Sequence, residues 1–110
     1  MAAAFELKKN AKGQFSFNLL AGNGEVILKS EQYESESAAK NGIASVQKNC
    51  GDDGRYEKKD STDGKFYFNL KAANHQIIGT SQIYKAAASR DDGIESVKKN
   101  GTTTTVKTSE

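Results

Sequence analysis

The chain has 110 residues, with 16 Lys+Arg against 14 Asp+Glu, one His, one Cys, no Pro and no Trp, for a formal net charge of +2. That length holds one ordinary domain, or two small units sharing a core. A lone cysteine excludes an internal disulfide and a four-cysteine zinc site, the near-neutral charge argues against a dedicated nucleic-acid binder, and no apolar run of about 18 residues is present to span a membrane.

The start, Met1 to Glu6, lacks the basic region and long apolar stretch of a secretory signal, so a cytoplasmic protein is expected. Phe5 to Lys9 predicts a short polar strand. Asn10-Ala11-Lys12-Gly13 is a turn ending in the residue that tolerates positive φ. Phe15, Phe17 and Leu19 are apolar at every second position, which predicts a half-buried strand. Asn23-Gly24 is a strong hairpin signal, and Val26-Ile27-Leu28 begins a third strand. A helix follows, capped by Ser35 or Ser37, with Ala39, Ile43 and Val46 on one face. Asn49 and Cys50-Gly51 end it. Gly42 lies mid-helix, where glycine costs about 1 kcal/mol against Ala, so the helix backbone is expected to run close to the sheet there.

Past Cys50-Gly51-Asp52-Asp53-Gly54, a polar turn-rich boundary, the same order returns. Arg55 to Lys59 predicts a strand, and Ser61-Thr62-Asp63-Gly64 a turn. Phe66, Phe68 and Leu70 form the alternating strand. Asn74-His75 replaces the Asn-Gly turn, with Asn74 expected to visit the left-handed region. Ile77-Ile78 begins the third strand. Arg90, Ile94 and Val97 share a helical face around Gly93, and Asn100-Gly101 stops the helix. The β-branched Thr102 to Lys107 predicts a closing strand.

Shifting the chain by 51 residues makes the repeat explicit. Phe15-Ser16-Phe17-Asn18-Leu19 falls on Phe66-Tyr67-Phe68-Asn69-Leu70, and Gly42-Ile43-Ala44-Ser45-Val46 falls on Gly93-Ile94-Glu95-Ser96-Val97. About 18 of 45 paired positions are identical, far beyond chance at this length. Leu, Ile, Val and Phe make only 20 of 110 residues, so the core is thin; one unit of about 50 residues is marginal alone. The expected fold is α+β: two tandem β-β-β-α(-β) repeats related by a pseudo-twofold axis, sharing one mainly antiparallel sheet with two helices packed on one face. Residues 1–52 form the first repeat (β-β-β-α) and 53–110 the second (β-β-β-α-β), both within one compact domain.

The stretch Gly64-Lys65-Phe66-Tyr67-Phe68-Asn69-Leu70-Lys71-Ala72-Ala73-Asn74-His75-Gln76-Ile77-Ile78-Gly79, with Phe5-Glu6-Leu7 and Gly42-Ile43-Ala44-Ser45-Val46, resembles the duplicated members of the YegP-like family of uncharacterised bacterial proteins. The resemblance covers essentially the whole chain and departs from the family pattern at Ala21-Gly22-Asn23-Gly24. It implies two three-strand-plus-helix repeats forming one sheet, with closing strands exchanged between repeats. It brings no reaction, ligand or catalytic residue.

The residues themselves offer little catalytic chemistry. His75, the lone histidine, sits in a hairpin turn without a repeat equivalent, and catalysis would need a nucleophile beside it and a third group to orient it. Cys50 follows a helix end, where the dipole disfavours a thiolate. Asp52-Asp53 and Asp91-Asp92 are adjacent pairs whose side chains diverge. Asp60-Ser61-Thr62-Asp63-Gly64 misses the alternate ligand spacing of a calcium loop. Lys12-Gly13-Gln14-Phe15-Ser16-Phe17 superficially resembles an aromatic RNA-binding strand, but its aromatics are displaced by one position and share the core face with Leu19. No glycine-rich phosphate loop occurs.

No catalytic, cofactor or metal residue is therefore assigned, and no enzyme is expected. What stands out is polar chemistry repeated in both copies, at Asn18/Asn69, Asn23/Asn74, Ser30/Ser81 and Tyr33/Tyr84. The expected function is a non-enzymatic binding or interaction module, acting as a monomer on a protein or small ligand. Its expected contacts are Asn18, Asn69, Tyr67, Ser30 and Ser81. The alternative is weak nucleic-acid binding through Lys58, Lys59, Lys65, Lys98 and Lys99.

Overall fold

A computed structural model describes residues 3–109. The elements are β1 (Ala4–Lys9), β2 (Phe15–Leu20), β3 (Val26–Ser30), α1 (Glu36–Asn49), a 3-10 turn (Asp53–Arg55), β4 (Tyr56–Asp60), β5 (Phe66–Lys71), β6 (Ile77–Thr80), α2 (Ala87–Asn100) and β7 (Val106–Ser109). The seven strands make one mixed sheet in the order β4-β5-β6-β3-β2-β1-β7. Every neighbouring pair is antiparallel except β1 and β7, which run parallel with Phe5 opposite Val106. The architecture is α+β.

The strands form where alternation predicted them, and the irregularities repeat as well. The register shifts between Leu19 and Leu20 and again between Leu70 and Lys71. Phe15 bridges Tyr33, as Phe66 bridges Tyr84. These bridges swing Tyr33 and Tyr84 under the helices. A Cβ on Gly42 would lie 2.4 Å from the Tyr33 hydroxyl oxygen, and one on Gly93 would lie 2.3 Å from that of Tyr84. The close approach expected at the mid-helix glycines is thus made to these two tyrosines and, at Gly42, to the sheet as well, where Phe17 Cε2 would lie 2.9 Å from that Cβ.

Three local expectations change. In the second hairpin the left-handed residue is His75 (φ 69°), at the position of Gly24 (φ 84°), and not Asn74. Asn74 instead accepts the Gln76 N–H at 3.1 Å, as Asn23 accepts that of Glu25 at 3.0 Å, so each Asn shapes the turn through its side chain. Arg55 belongs to the 3-10 turn rather than to a strand. The closing strand starts at Val106, because Thr102–Thr105 serve as the crossover: Gln47 donates to the Thr103 carbonyl at 2.8 Å and the Thr103 hydroxyl donates to Ala3 O at 3.0 Å.

One buried cluster joins both repeats. Phe5, Leu7, Phe17 and Leu19 share it with Phe68 and Leu70, and Ile43, Val46, Ile94 and Val97 enter it from the helices. Phe5 meets Phe17 edge-on at 5.7 Å, and the equivalent pair, Tyr56 and Phe68, meets at 5.6 Å. The Tyr56 hydroxyl brings a polar group to this packing and donates to Cys50 O at 2.7 Å. The repeats join at β3–β6, where Lys29 faces Thr80 and Ser30 faces Gly79. Leu28 is the repeat equivalent of Gly79, and a Cβ on Gly79 would come within 2.8 Å of Lys29 O and 2.9 Å of Leu28 Cγ. The seam closes because one copy supplies Leu and the other no side chain.

Candidate functional site

The register aligns a polar row across all seven strands. Glu57 faces Asn69, Asn69 faces Thr80, Thr80 faces Lys29, Lys29 faces Asn18, Asn18 faces Glu6, and Glu6 faces Lys107. Side chains alternate along a strand, so this row points away from Phe17, Leu19, Phe68 and Leu70. Two of the sequence-predicted contacts, Asn18 and Asn69, lie in it at equivalent distances from the seam. A third, Tyr67, is one step along the same side of β5, opposite Lys59.

The row is held internally. Asn18 Nδ2 donates to Glu6 Oε1 at 3.4 Å and Asn69 Nδ2 donates to Glu57 Oε1 at 3.3 Å. Asn69 Oδ1 also accepts from the Thr80 hydroxyl at 2.8 Å, and Asn69 is buried. Glu57 is flanked by Lys71 at 3.0 Å and Lys59 at 3.9 Å. The Lys71 hydrogen bond, then that of Asn69, holds its carboxyl below the usual carboxylate range. Lys29, at the centre, is exposed.

Ser30 and Ser81 are placed otherwise. Each hydroxyl accepts a strand N–H, Phe17 N at 2.8 Å and Phe68 N at 3.0 Å respectively. Each donates to the next residue's carbonyl, Glu31 O at 2.8 Å and Gln82 O at 2.7 Å. Both hydroxyls are committed to backbone, and Ser81 is buried. Their identity in the two copies reflects strand geometry.

An open groove of about 720 Å³ runs between α1 and the β5–β6 hairpin, lined by Glu31, Tyr33, Asn41, Ser45, Asn74 and His75 among others. Sequence reasoning placed His75 in a turn but had no signal for what lies opposite, since Asn41 and His75 meet only through the crossing of repeats. Burial, then the Glu31 charge, pushes the Tyr33 phenol up. The Ser45 hydroxyl in this groove accepts from Asn49 Nδ2 at 3.2 Å. Cys50 is wholly buried, and burial raises its thiol, which keeps it protonated. Among the described residues no three His, Cys, Asp or Glu side chains gather as a metal site.

Four of the five lysines of the nucleic-acid alternative are tied to carboxylates, and Lys99 has no carboxylate partner among the described residues. Lys58 pairs with Asp91 at 3.2 Å, Lys59 with Glu57 at 3.9 Å and Lys65 with Asp63 at 3.6 Å. Lys98 reaches Asp53 at 2.5 Å and Glu95 at 3.4 Å. At these four positions positive charge alternates with negative charge, which is unlike the basic face that a phosphate backbone follows.

A duplicated α+β sheet carrying an in-register polar row defines a small two-repeat protein. The model of the family described as a domain of unknown function, DUF1508, matches twice, at residues 10–57 and 61–107. The UPF0339 protein YegP of Escherichia coli K12 is 62% identical over 107 residues, 97% of each chain. A UPF0339 protein of Acinetobacter baylyi is 60% identical, over 97% of this chain and 96% of its own. The solution NMR structure of E. coli yegP, a protein of unknown function, superposes with a TM-score of 0.93 at 61% identity, covering 98% of this chain and 93% of that one. That of a Shewanella oneidensis UPF0339 protein gives 0.92 at 57%, covering 98% and 92%. The chain belongs to the DUF1508 family, in its two-repeat, YegP-like form.

Proposed function

We propose that this protein is a non-enzymatic interaction module that presents the polar row of its sheet to a partner. In this reading the repeats divide at residues 52 and 53 and are related by a pseudo-twofold axis through the β3–β6 seam. Both helices cover one face and leave the other free. The matched bulges, the paired tyrosine bridges and the shared core cluster support that symmetry. The observation that carries the function is the in-register row, which places Asn18 and Asn69 on either side of Lys29 and Thr80, with Tyr67 beside them. Ser30 and Ser81 act behind this surface by fixing the strands. A monomer in a reducing cytoplasm suits the single buried thiol, and no helix among the described residues is long and apolar enough to cross a membrane.

The test is affinity capture from native lysate in mild salt, comparing the natural chain with Asn18→Ala/Asn69→Ala and with Lys29→Glu. A stoichiometric protein held by the natural chain and lost by both variants, each still folded by its melting curve, supports the reading. Capture that ignores both variants overturns it. Salt-labile nucleic acid alone would support phosphate contacts instead.

A further inference from the structure

The two outer strands of the repeats are equivalent but unequally covered. β1 carries β7 along its free side: Phe5 N–H donates to Thr105 O at 2.9 Å, and the parallel register then continues from Phe5–Val106 to Lys8–Ser109. Val106 and Thr108 line a cleft of about 430 Å³ with Lys40, Ile43, Ala44 and Gln47 of α1. Fifty-one residues on, β4 ends the sheet, and no strand lies beyond it among the described residues. Its cleft, about 290 Å³, is lined by Tyr56, Lys58, Asp91, Ile94, Glu95 and Asp53. Asp91, Ile94 and Glu95 stand where Lys40, Ile43 and Ala44 stand on α1.

The approach to this second cleft is already built. Tyr56 N–H, the counterpart of Phe5 N–H, is taken by Asp53 O, which occupies the role of Thr105 O. Lys98, the counterpart of Gln47, grips Asp53 as Gln47 grips Thr103. Beyond that point the first repeat has no chain left for a closing strand, because its crossover runs straight into β4. Strand alternation turns the Lys58 N–H and C=O to the same open side as Tyr56 N–H. Lys58 itself replaces the buried Leu7 and reaches Asp91, a charge on the core side of an edge strand that discourages indiscriminate pairing.

We propose that the open edge of β4 is a strand-acceptor site, which takes an extended segment of a partner protein as an eighth, parallel strand. This edge borders the polar row only at Glu57, and strand addition here does not depend on a partner engaging the rest of that row. The segment's chemistry follows from β7 and from the cleft. A β-branched residue faces Ile94, as Val106 faces Ile43. The next residue points to the opposite face of the sheet and is basic, because Glu57 stands there as Glu6 stands opposite Lys107. Main-chain hydrogen bonds supply the affinity and alternate side chains the selectivity.

The test uses the full chain, isotope-labelled, and a capped synthetic peptide Thr-Thr-Val-Lys-Thr-Ser, the sequence of residues 104–109. Saturable shifts and slowed hydrogen exchange at the Lys58 and Asp60 amides, with β1 unchanged, are expected. The peptide with Glu in place of Lys should bind about fivefold or more weakly. Lys58→Pro removes the edge N–H that faces away from β5 and should abolish binding, with Asn69 amide shifts reporting that β4–β5 pairing survives. Absence of shifts at millimolar peptide overturns the proposal. So do shifts on β1, which would mean displacement of β7, or protection of Lys58 that depends on protein concentration alone, which would mean a second copy at this edge.

Discussion

β1 and β4 occupy equivalent places 51 residues apart, yet β7 covers one and the other ends the sheet. At the seam Leu28 meets Gly79, where a strict copy would set Leu against Leu. At the helix starts Ser35 Oγ accepts the Ala38 N–H at 3.1 Å, whereas Ala86 offers α2 no side-chain cap. Around these differences the centre of the interior is kept, with Phe17/Phe68, Leu19/Leu70 and Val46/Val97 all buried. Duplication preserves what must pack in both copies. It relaxes where the copies face each other or face nothing.

The seam gives the largest way to break this comparison. Gly79→Ala drives a Cβ against backbone as well as Leu28, and overpacking of this kind should cost about 3 kcal/mol in urea unfolding. A loss below about 1 kcal/mol would mean that β3 and β6 can separate without penalty. The serine pins come next. Ser81→Ala strands the Phe68 N–H in the interior and should cost about 2 kcal/mol, with Ser30→Ala somewhat less because Ser30 is only partly buried. Equal and negligible losses would reopen both hydroxyls as partner contacts.

The caps sharpen the comparison at smaller scale. Ser35→Ala should lose about 1 kcal/mol, and Ala86→Ser should recover about 0.5 kcal/mol at the uncapped helix. Thermal melts of the two variants should move in opposite directions. The smallest effect is acidic. Glu57 has a lowered folded-state pKa, so its contribution is present above the ordinary carboxylate range and is lost as pH falls through its folded value. Glu57→Gln should therefore lower the melting temperature slightly at pH 7 and match the natural chain in strong acid.

The repeat, the alternating strands and the helix faces were legible because they rest on local pattern: Phe15, Phe17 and Leu19 can bury together only on a strand, and Ala39, Ile43 and Val46 only on a helix. His75 shows the limit. Its positive φ is imposed by the turn it shares with Gly24, although residue preference favoured Asn74. Ser30 and Ser81 show another, since a repeated polar residue reads alike whether it serves a partner or its own backbone. The groove facing His75 was illegible because Asn41 and His75 come from different repeats.

Composition, the 51-residue period and apolar spacing were sufficient for two units of three strands and a helix, since such patterns depend only on neighbours along the chain. Which strand lies beside which depended on pairings between residues far apart. The crossover at Thr102–Thr105 carries β7 across to β1, and the 3-10 turn at Asp53–Arg55 leads α1 directly into β4. Among the described residues one edge is covered and the other open, because the first repeat's chain passes from its helix directly into β4 while the second repeat's continues into β7. No local preference encodes where that last segment finds its hydrogen-bonding partner.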